Sequence, residues 1–251
     1  GAAAAAGAPE IDHAAAAALP YPTTADDHCE TPRAAYEDVV TVLDHIATAL
    51  GKTRATCHLY DPYYCDGAAA RHLAALGFSN VTHRAVDFYA EPLSDYDVLI
   101  TNPPFSGDHI ERALQFCVDS RKPWLLLAPV FVYTKPYFEN LVIRGGAKPF
   151  YVTPRAVSRY RFQTPLGFRA ISASERRTSP FVAIWFGSLG GGKLPLLPHQ
   201  DNVVHRSQHL PPQFKDSSDK TRKRLRKNQR DARKKAAAAA GGGSSGGGGG
   251  G

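Results

Sequence analysis

The chain has 251 residues, with 30 Lys and Arg against 23 Asp and Glu, a formal net charge of +7. That length allows one or two domains, and no signal peptide or apolar run of membrane-spanning length argues for a secreted or membrane protein. Four scattered cysteines with no Cys-x-x-Cys pair, and histidines without ligand spacing, argue against a metal site and for a reduced, intracellular protein.

Residues 1–27 hold two alanine runs and no Lys or Arg, and read as a low-complexity segment. No methionine occurs, position 1 included. We therefore read a natural N-terminus as missing, which leaves an organellar address open, although the first arginine is Arg33. Glu30-Thr31-Pro32 precedes a predicted helix from about Ala34 to Leu50. A strand-like stretch, Ala55 to Tyr60, runs into the turn Asp61-Pro62-Tyr63-Tyr64-Cys65-Asp66-Gly67. An Ala- and Leu-rich helix, Ala68 to Leu76, follows, and Gly77 can terminate it. Asn80 to Arg84 reads as a second strand with no helix after it; Asp87-Phe88 comes next.

Asp97 to Thr101 is an apolar strand, and Asn102-Pro103-Pro104-Phe105 follows it directly. His109 to Ser120 has apolar residues at helical spacing. Trp124 to Val132 reads as a buried strand, Tyr133 to Ile143 as helical, and Phe150 to Val152 and Phe181 to Phe186 as strands. Strands alternating with helices predict an α/β fold, a mostly parallel sheet with helices on both faces. We place this domain at residues 28–188. Residues 189–214, rich in Gly and Pro, read as a linker. Residues 215–251 read as a basic, then Ala- and Gly-rich, disordered tail.

Ligands of open α/β sheets sit at the carboxyl ends of strands. There, Asn102 offers a side-chain carbonyl. The residue before a proline is held extended. The prolines stiffen the turn and leave their carbonyls free to accept. Phe105 adds a flat apolar face. Together these can hold a planar ring that bears an amino group.

Thr101 to Phe105 resembles the Asn-Pro-Pro-aromatic motif of S-adenosylmethionine-dependent amino-methyltransferases of the Rossmann-like class. The Tyr60-Asp61-Pro62-Tyr63-Tyr64-Cys65-Asp66-Gly67 stretch resembles that family's cofactor loop, in which Tyr60, Asp61, Pro62, Tyr63, Cys65 and Gly67 would hold the cofactor. Thr31-Pro32 resembles the element that closes over the cofactor's methionine part, and Asp87-Phe88 the residues that flank its adenine. The four motifs occur in the family's order and span about residues 28–188. The resemblance implies S-adenosyl-L-methionine as cofactor and an antiparallel last strand at the sheet edge. It also implies direct methyl transfer. Asn102 and the Pro103 carbonyl would accept from an exocyclic amine, Pro104 would shape the turn, Phe105 would stack on the base, and the nitrogen would attack the sulfonium methyl.

Two positions depart from that pattern. Cys65 stands where the family has its first glycine, used for close approach or positive φ; a non-glycine residue held left-handed costs about 1–2 kcal/mol. The second strand carries no acid to grip ribose hydroxyls, so either Asp87 serves there or that acid is absent.

Residues 153–180 mix arginines with aromatics, Arg159 and Arg161 among them, which suits stacking and phosphate contacts on single-stranded nucleic acid. Between Lys215 and Lys235 eleven basic residues and three acids give +8, against +7 for the whole chain, so the rest carries −1. Lys223, Arg224, Arg226 and Lys227 lie at the centre of this run. Such arms bind phosphate backbones without reading sequence and also serve nuclear or nucleolar import. The expected partner is nucleic acid, RNA first, with a protein partner supplying target recognition. Adenine N6 in RNA leads; DNA adenine, guanine N2 or a protein glutamine amide remain alternatives. So does a decayed methyltransferase fold that binds RNA or assists ribosome assembly.

Overall fold

Strands apolar at every position need cover on both faces, because successive side chains point to opposite sides. Val98–Thr101, Trp124–Pro129 and Ala183–Ser188 are of this kind except for Thr101 and Ser188 at their ends, and each is buried at every position. The computed structural model describes residues 29–156, 159–162, 182–191 and 194–214.

In chain order the elements are α1 (Arg33–Ala49), β1 (Leu59–Tyr60), α2 (Ala68–Ala75), β2 (Val81–Thr82), β3 (Val98–Thr101), α3 (His109–Ser120), β4 (Trp124–Pro129), α4 (Pro136–Phe138), β5 (Phe150–Val152), β6 (Ala183–Ser188) and β7 (Val203–Val204). The seven strands form one sheet in the order β2-β1-β3-β4-β6-β5-β7. Val98, Ile100, Leu125, Leu127, Trp185 and Val152 face one core with α1 and α2. Leu99, Leu126, Ile184, Phe186 and Tyr151 face the other with α3 and α4. The α/β layering with helices on both faces is thus as expected.

The pairing is not. β2, β1, β3 and β4 run parallel, but β6 is antiparallel to both β4 and β5, and β7 is antiparallel to β5. The sheet is mixed rather than mostly parallel, and β6 lies inside it rather than at the edge. Two close fits seat β6 there. Trp185 Nε1 donates to Ala35 O of α1 at 3.0 Å. A Cβ on Gly187 would lie 2.4 Å from the Phe150 ring of β5, so only glycine lets the two strands approach.

Other boundaries moved for local reasons. Residues 53–57 form a turn rather than a strand, because Thr53 and Thr56 bond each other's backbone and hydroxyls and Cys57 N donates to Thr53 O. The strand predicted to Val132 ends at Pro129 and continues as a 3₁₀ turn, Val130–Thr134. The helix predicted over Tyr133 to Ile143 begins at Pro136 and passes into a π turn, Glu139–Ile143. The stretch read as a linker instead packs on the domain: β7 pairs with β5, and Leu197, Leu210 and Phe214 are buried. Its Gly and Pro content hid these apolar anchors. Among the described residues no helix is long and apolar enough to cross a membrane.

Asp97 ties β1 to β3, its Oδ2 accepting from Lys52 Nζ at 2.6 Å and from His58 N at 2.7 Å. Burial alone would raise its carboxyl, but the Lys52 and His58 hydrogen bonds outweigh that and hold it below the usual carboxylate range. A depressed carboxylate stabilises the fold above its unfolded pKa of about 3.9, and that contribution fades as pH falls through the lower folded value. We expect Asp97→Asn to cost about 1 kcal/mol at pH 7, with little difference from the parent at pH 3, in urea melts at the two pH values.

Candidate functional site

From β1 the chain passes to β2 on one side and then crosses to β3 on the other. That reversal puts a crevice at the carboxyl ends of β1 and β3, where open α/β sheets hold ligands. Here the crevice is a cleft open to solvent, lined from the ends of β1 and β3, from just past β2, and from α1 and α2.

Its floor is Asp61, the residue after β1, only 3% exposed. Asp61 Oδ1 accepts from Thr101 Oγ1, the last residue of β3, and from Tyr63 N at 3.2 Å. His83, just past β2, brings Nδ1 to 3.3 Å from Asp61 O and 3.5 Å from Oδ2. Three strand ends therefore converge on one carboxyl. Burial pushes that carboxyl up; His83, Thr101 and the Tyr63 N–H oppose the push.

The turn that carries Tyr63 and Cys65 enters α2 through Gly67, which has φ 71°. Arg121 alone among the described non-glycine residues has positive φ, so Cys65 is not held left-handed. The strain expected from a missing glycine is absent because Gly67 takes the left-handed position itself. Burial pushes the Cys65 thiol up, which keeps it from being a thiolate at neutral pH. Thr31 is buried and lines the opposite wall, and Pro32 opens α1 in an extended conformation. Arg71 of α2 bridges the walls, with Nη2 3.6 Å from Glu30 Oε1 and Nη1 donating to Asp66 O at 2.9 Å.

Asn102 enters the cleft from the end of β3. Its Nδ2 donates to Cys29 O at 3.4 Å, which fixes the amide's orientation. Its Oδ1 is buried and has no hydrogen-bond partner among the described residues. Pro103 is buried, Pro104 lines the cleft, and Phe105 packs edge-on against Phe162 at 6.3 Å and 76°.

The structure thus gathers Thr31, Asp61, Tyr63, Cys65, Asn102 and Pro104 around one cleft. It does not bring Asp87 and Phe88 to its lining. Asp87 Oδ1 accepts from Tyr89 N at 2.9 Å, holding its own turn. Phe88 is sunk among Tyr60, Tyr63 and Phe116, at 6.4, 5.5 and 4.9 Å, so its faces are used by the core. Tyr60 belongs to the same aromatic group, its hydroxyl accepting from Leu93 N at 3.4 Å, and Pro62 is buried.

Arg159 is also spent internally. Its Nη2 donates to Glu37 Oε2 at 3.0 Å and its Nε lies 3.3 Å from Asp38 Oδ2, both acids on α1. That pairing removes it from the phosphate role expected of it, whereas Arg161 is exposed. Lys223, Arg224, Arg226 and Lys227 lie outside the described residues.

Sequence reasoning missed Cys29, Glu30, Tyr36, Tyr64 and His83 as lining residues. His83 had a signal: it stands at the end of the second strand, where an acid was sought. Comparisons of the chain with protein-family models, curated proteins and solved structures give no match.

Proposed function

We propose that this chain is an S-adenosylmethionine-dependent N-methyltransferase of Rossmann-like fold. Its target is the exocyclic amine of a nucleic-acid base, adenine N6 in RNA first. The observation that carries this reading is Asn102 Oδ1: a buried acceptor without a partner among the described residues, at a strand's carboxyl end and beside Pro104 in the cleft lining, with Pro103 and Phe105 adjacent in the chain. A buried acceptor without a partner is costly, and a donor that enters the cleft would satisfy it. An N–H bond of an amino group supplies it.

The cleft fits the cofactor. The turn through Gly67 opens onto it, and Asp61 and Glu30 give it acidic walls that favour a cationic guest. When bound, S-adenosylmethionine supplies an electrophilic methyl group. The chain does the rest. Thr31 and Tyr63 close over the cleft, Asp61 locks the ends of β1, β2 and β3 in register, and Asn102 Oδ1 and the Pro103 carbonyl orient the amine. Accepting from its N–H bonds localises the nitrogen lone pair and favours in-line attack; positioning and electrostatics carry the rate. The Phe105 face, backed by Phe162, stacks on the base. The basic run at 215–235 holds RNA non-specifically and serves nuclear or nucleolar import.

The test is calorimetry of the full chain with S-adenosylmethionine and S-adenosylhomocysteine, followed by transfer of labelled methyl to RNA, DNA and protein fractions. Micromolar binding and label in RNA adenine support the reading. No binding at millimolar cofactor overturns it and favours a decayed scaffold.

A further inference from the structure

The arginines of the cleft walls, Arg33 of α1 and Arg71 of α2, are paired with Glu37 and Glu30 at 3.1 and 3.6 Å. Arg159 is paired with Asp38 at 3.3 Å. Lys135 differs from them. It follows the 3₁₀ turn at the carboxyl end of β4. β4 runs parallel to β3 with Leu126 opposite Thr101, so the turns that carry Lys135 and Asn102 leave the same edge of the sheet. The Lys135 backbone is held on both sides: its N–H donates to Val132 O at 3.0 Å, and its carbonyl accepts from Glu139 N at 3.2 Å. The residue is half-buried, with Nζ over the Phe131 ring at 5.4 Å. Glu139, the acid four positions on, is turned to Arg144 at 3.6 Å instead. Among the described residues no carboxylate pairs with Lys135.

We propose that Lys135 Nζ takes a backbone phosphate of a single-stranded nucleic acid, next to the base presented to Asn102. The proposal rests on the nucleic-acid reading above and fixes a point on the strand's path that the reading leaves open. Charge and shape select the ligand. An ammonium without a carboxylate partner attracts an anion. As a compact point charge it takes a phosphate oxygen without demanding a planar, two-pronged acceptor. Contact with the Phe131 ring limits where Nζ stands, so less side-chain freedom is lost on binding. Arg161 stands nearby in the same sense: it is exposed, and its neighbour Phe162 packs on Phe105. Two cations on separate elements thus serve the strand at the edge of the sheet where Phe105 receives the base.

The probe is a short single-stranded oligonucleotide carrying the base labelled in the transfer assay above. Methyl transfer to it is measured across a salt series for the full chain and for Lys135→Gln, Lys135→Arg and Lys148→Gln. Lys148 is exposed just before β5, which runs in the direction of β4, so it sits at the opposite edge of the sheet and controls for charge alone. Losing one phosphate contact on a single strand changes the slope of log affinity against log salt by about 0.7. Lys135→Gln should therefore raise KM for the strand about fivefold at about 0.1 M salt, with kcat and S-adenosylhomocysteine affinity within about twofold. Lys135→Arg should keep the parent's slope, and so should Lys148→Gln. Replacing the phosphates that flank the target by uncharged methylphosphonates should cost Lys135→Gln about fivefold less than it costs the parent. Equal slopes in parent and Lys135→Gln, an equal loss in Lys148→Gln, or equal methylphosphonate costs each overturn the proposal and leave the methyltransferase reading standing. Label in protein alone, or in nothing, overturns both. If Lys135→Gln does not fold, acetylation of the parent decides. Bound oligonucleotide should slow acetylation of Lys135 and not of Lys148; equal slowing of both, or of neither, overturns the contact.

Discussion

Asn102→Ala should lower methyl transfer to RNA by about 10²–10³-fold while leaving S-adenosylhomocysteine affinity within about threefold. Asn102 Oδ1 is a buried acceptor of the cleft, and the side chain's hydrogen bond among the described residues runs through Nδ2 to Cys29 O at 3.4 Å. Alanine removes that acceptor and a weak tether but no strand and no core side chain. The loss should therefore fall on kcat rather than on cofactor binding. Asn102→Asp is the sharper control: it keeps the size and one acceptor oxygen, but introduces a charge next to Glu30 and Asp61. Rates in single-turnover assays with saturating RNA separate chemistry from binding. Unchanged turnover in Asn102→Ala would remove the amine-orienting role and with it the assigned reaction.

Asp61→Ala should lower unfolding stability by about 3 kcal/mol, seen as a fall in Tm of roughly 6–12 °C. The carboxyl accepts from Thr101 Oγ1 and Tyr63 N and faces His83 Nδ1, all in a buried setting. Removing it leaves those groups unmet and opens a void where three strand ends meet. Asp61→Asn keeps an acceptor and should cost about 1 kcal/mol. The pH dependence has a definite sign. Burial raises the Asp61 carboxyl above its ordinary value. The folded state then holds that proton more tightly than the unfolded state. Its contribution is full below the unfolded pKa of about 3.9 and is lost as pH rises through the folded value. The penalty of Asp61→Asn relative to the parent should accordingly be largest near pH 4 and shrink toward pH 7. Asp38 shifts in the same direction but is common to both proteins, so their difference isolates Asp61.

What the sequence made legible follows physical locality. The helices at Arg33–Ala49, Ala68–Ala75 and His109–Ser120 announce themselves by apolar spacing and end signals within a few residues. The gathering of Thr31, Asp61, Cys65 and Asn102 was readable because each follows or precedes a strongly marked element, and strand ends converge in an α/β sheet. Strand order was not readable, because β6 pairs with residues far from it in the chain. Arg159 looked like a free cation because its acids on α1 lie 122 positions away in sequence. Phe88 looked like a ligand platform because nothing local says that Tyr60, Tyr63 and Phe116 close around it. His83 escaped because the search was for a carboxylate, while the chain supplies the carboxylate from β1 and the imidazole from β2. The stretch 189–214 was discounted on its Gly and Pro content, which masked the buried Leu197, Leu210 and Phe214 and the pairing of β7 with β5.

The Arg159 clamp sets up a division of labour along the chain. Arg159 is fastened to α1, Phe162 is buried against Phe105, and twenty positions on Val182 O accepts from Val130 N at the start of β6. Arg159, Phe162 and Val182 thus hold to three separate parts of the domain, namely α1, the turn after β3 and the turn after β4, so losing any one of these contacts leaves the other two in place.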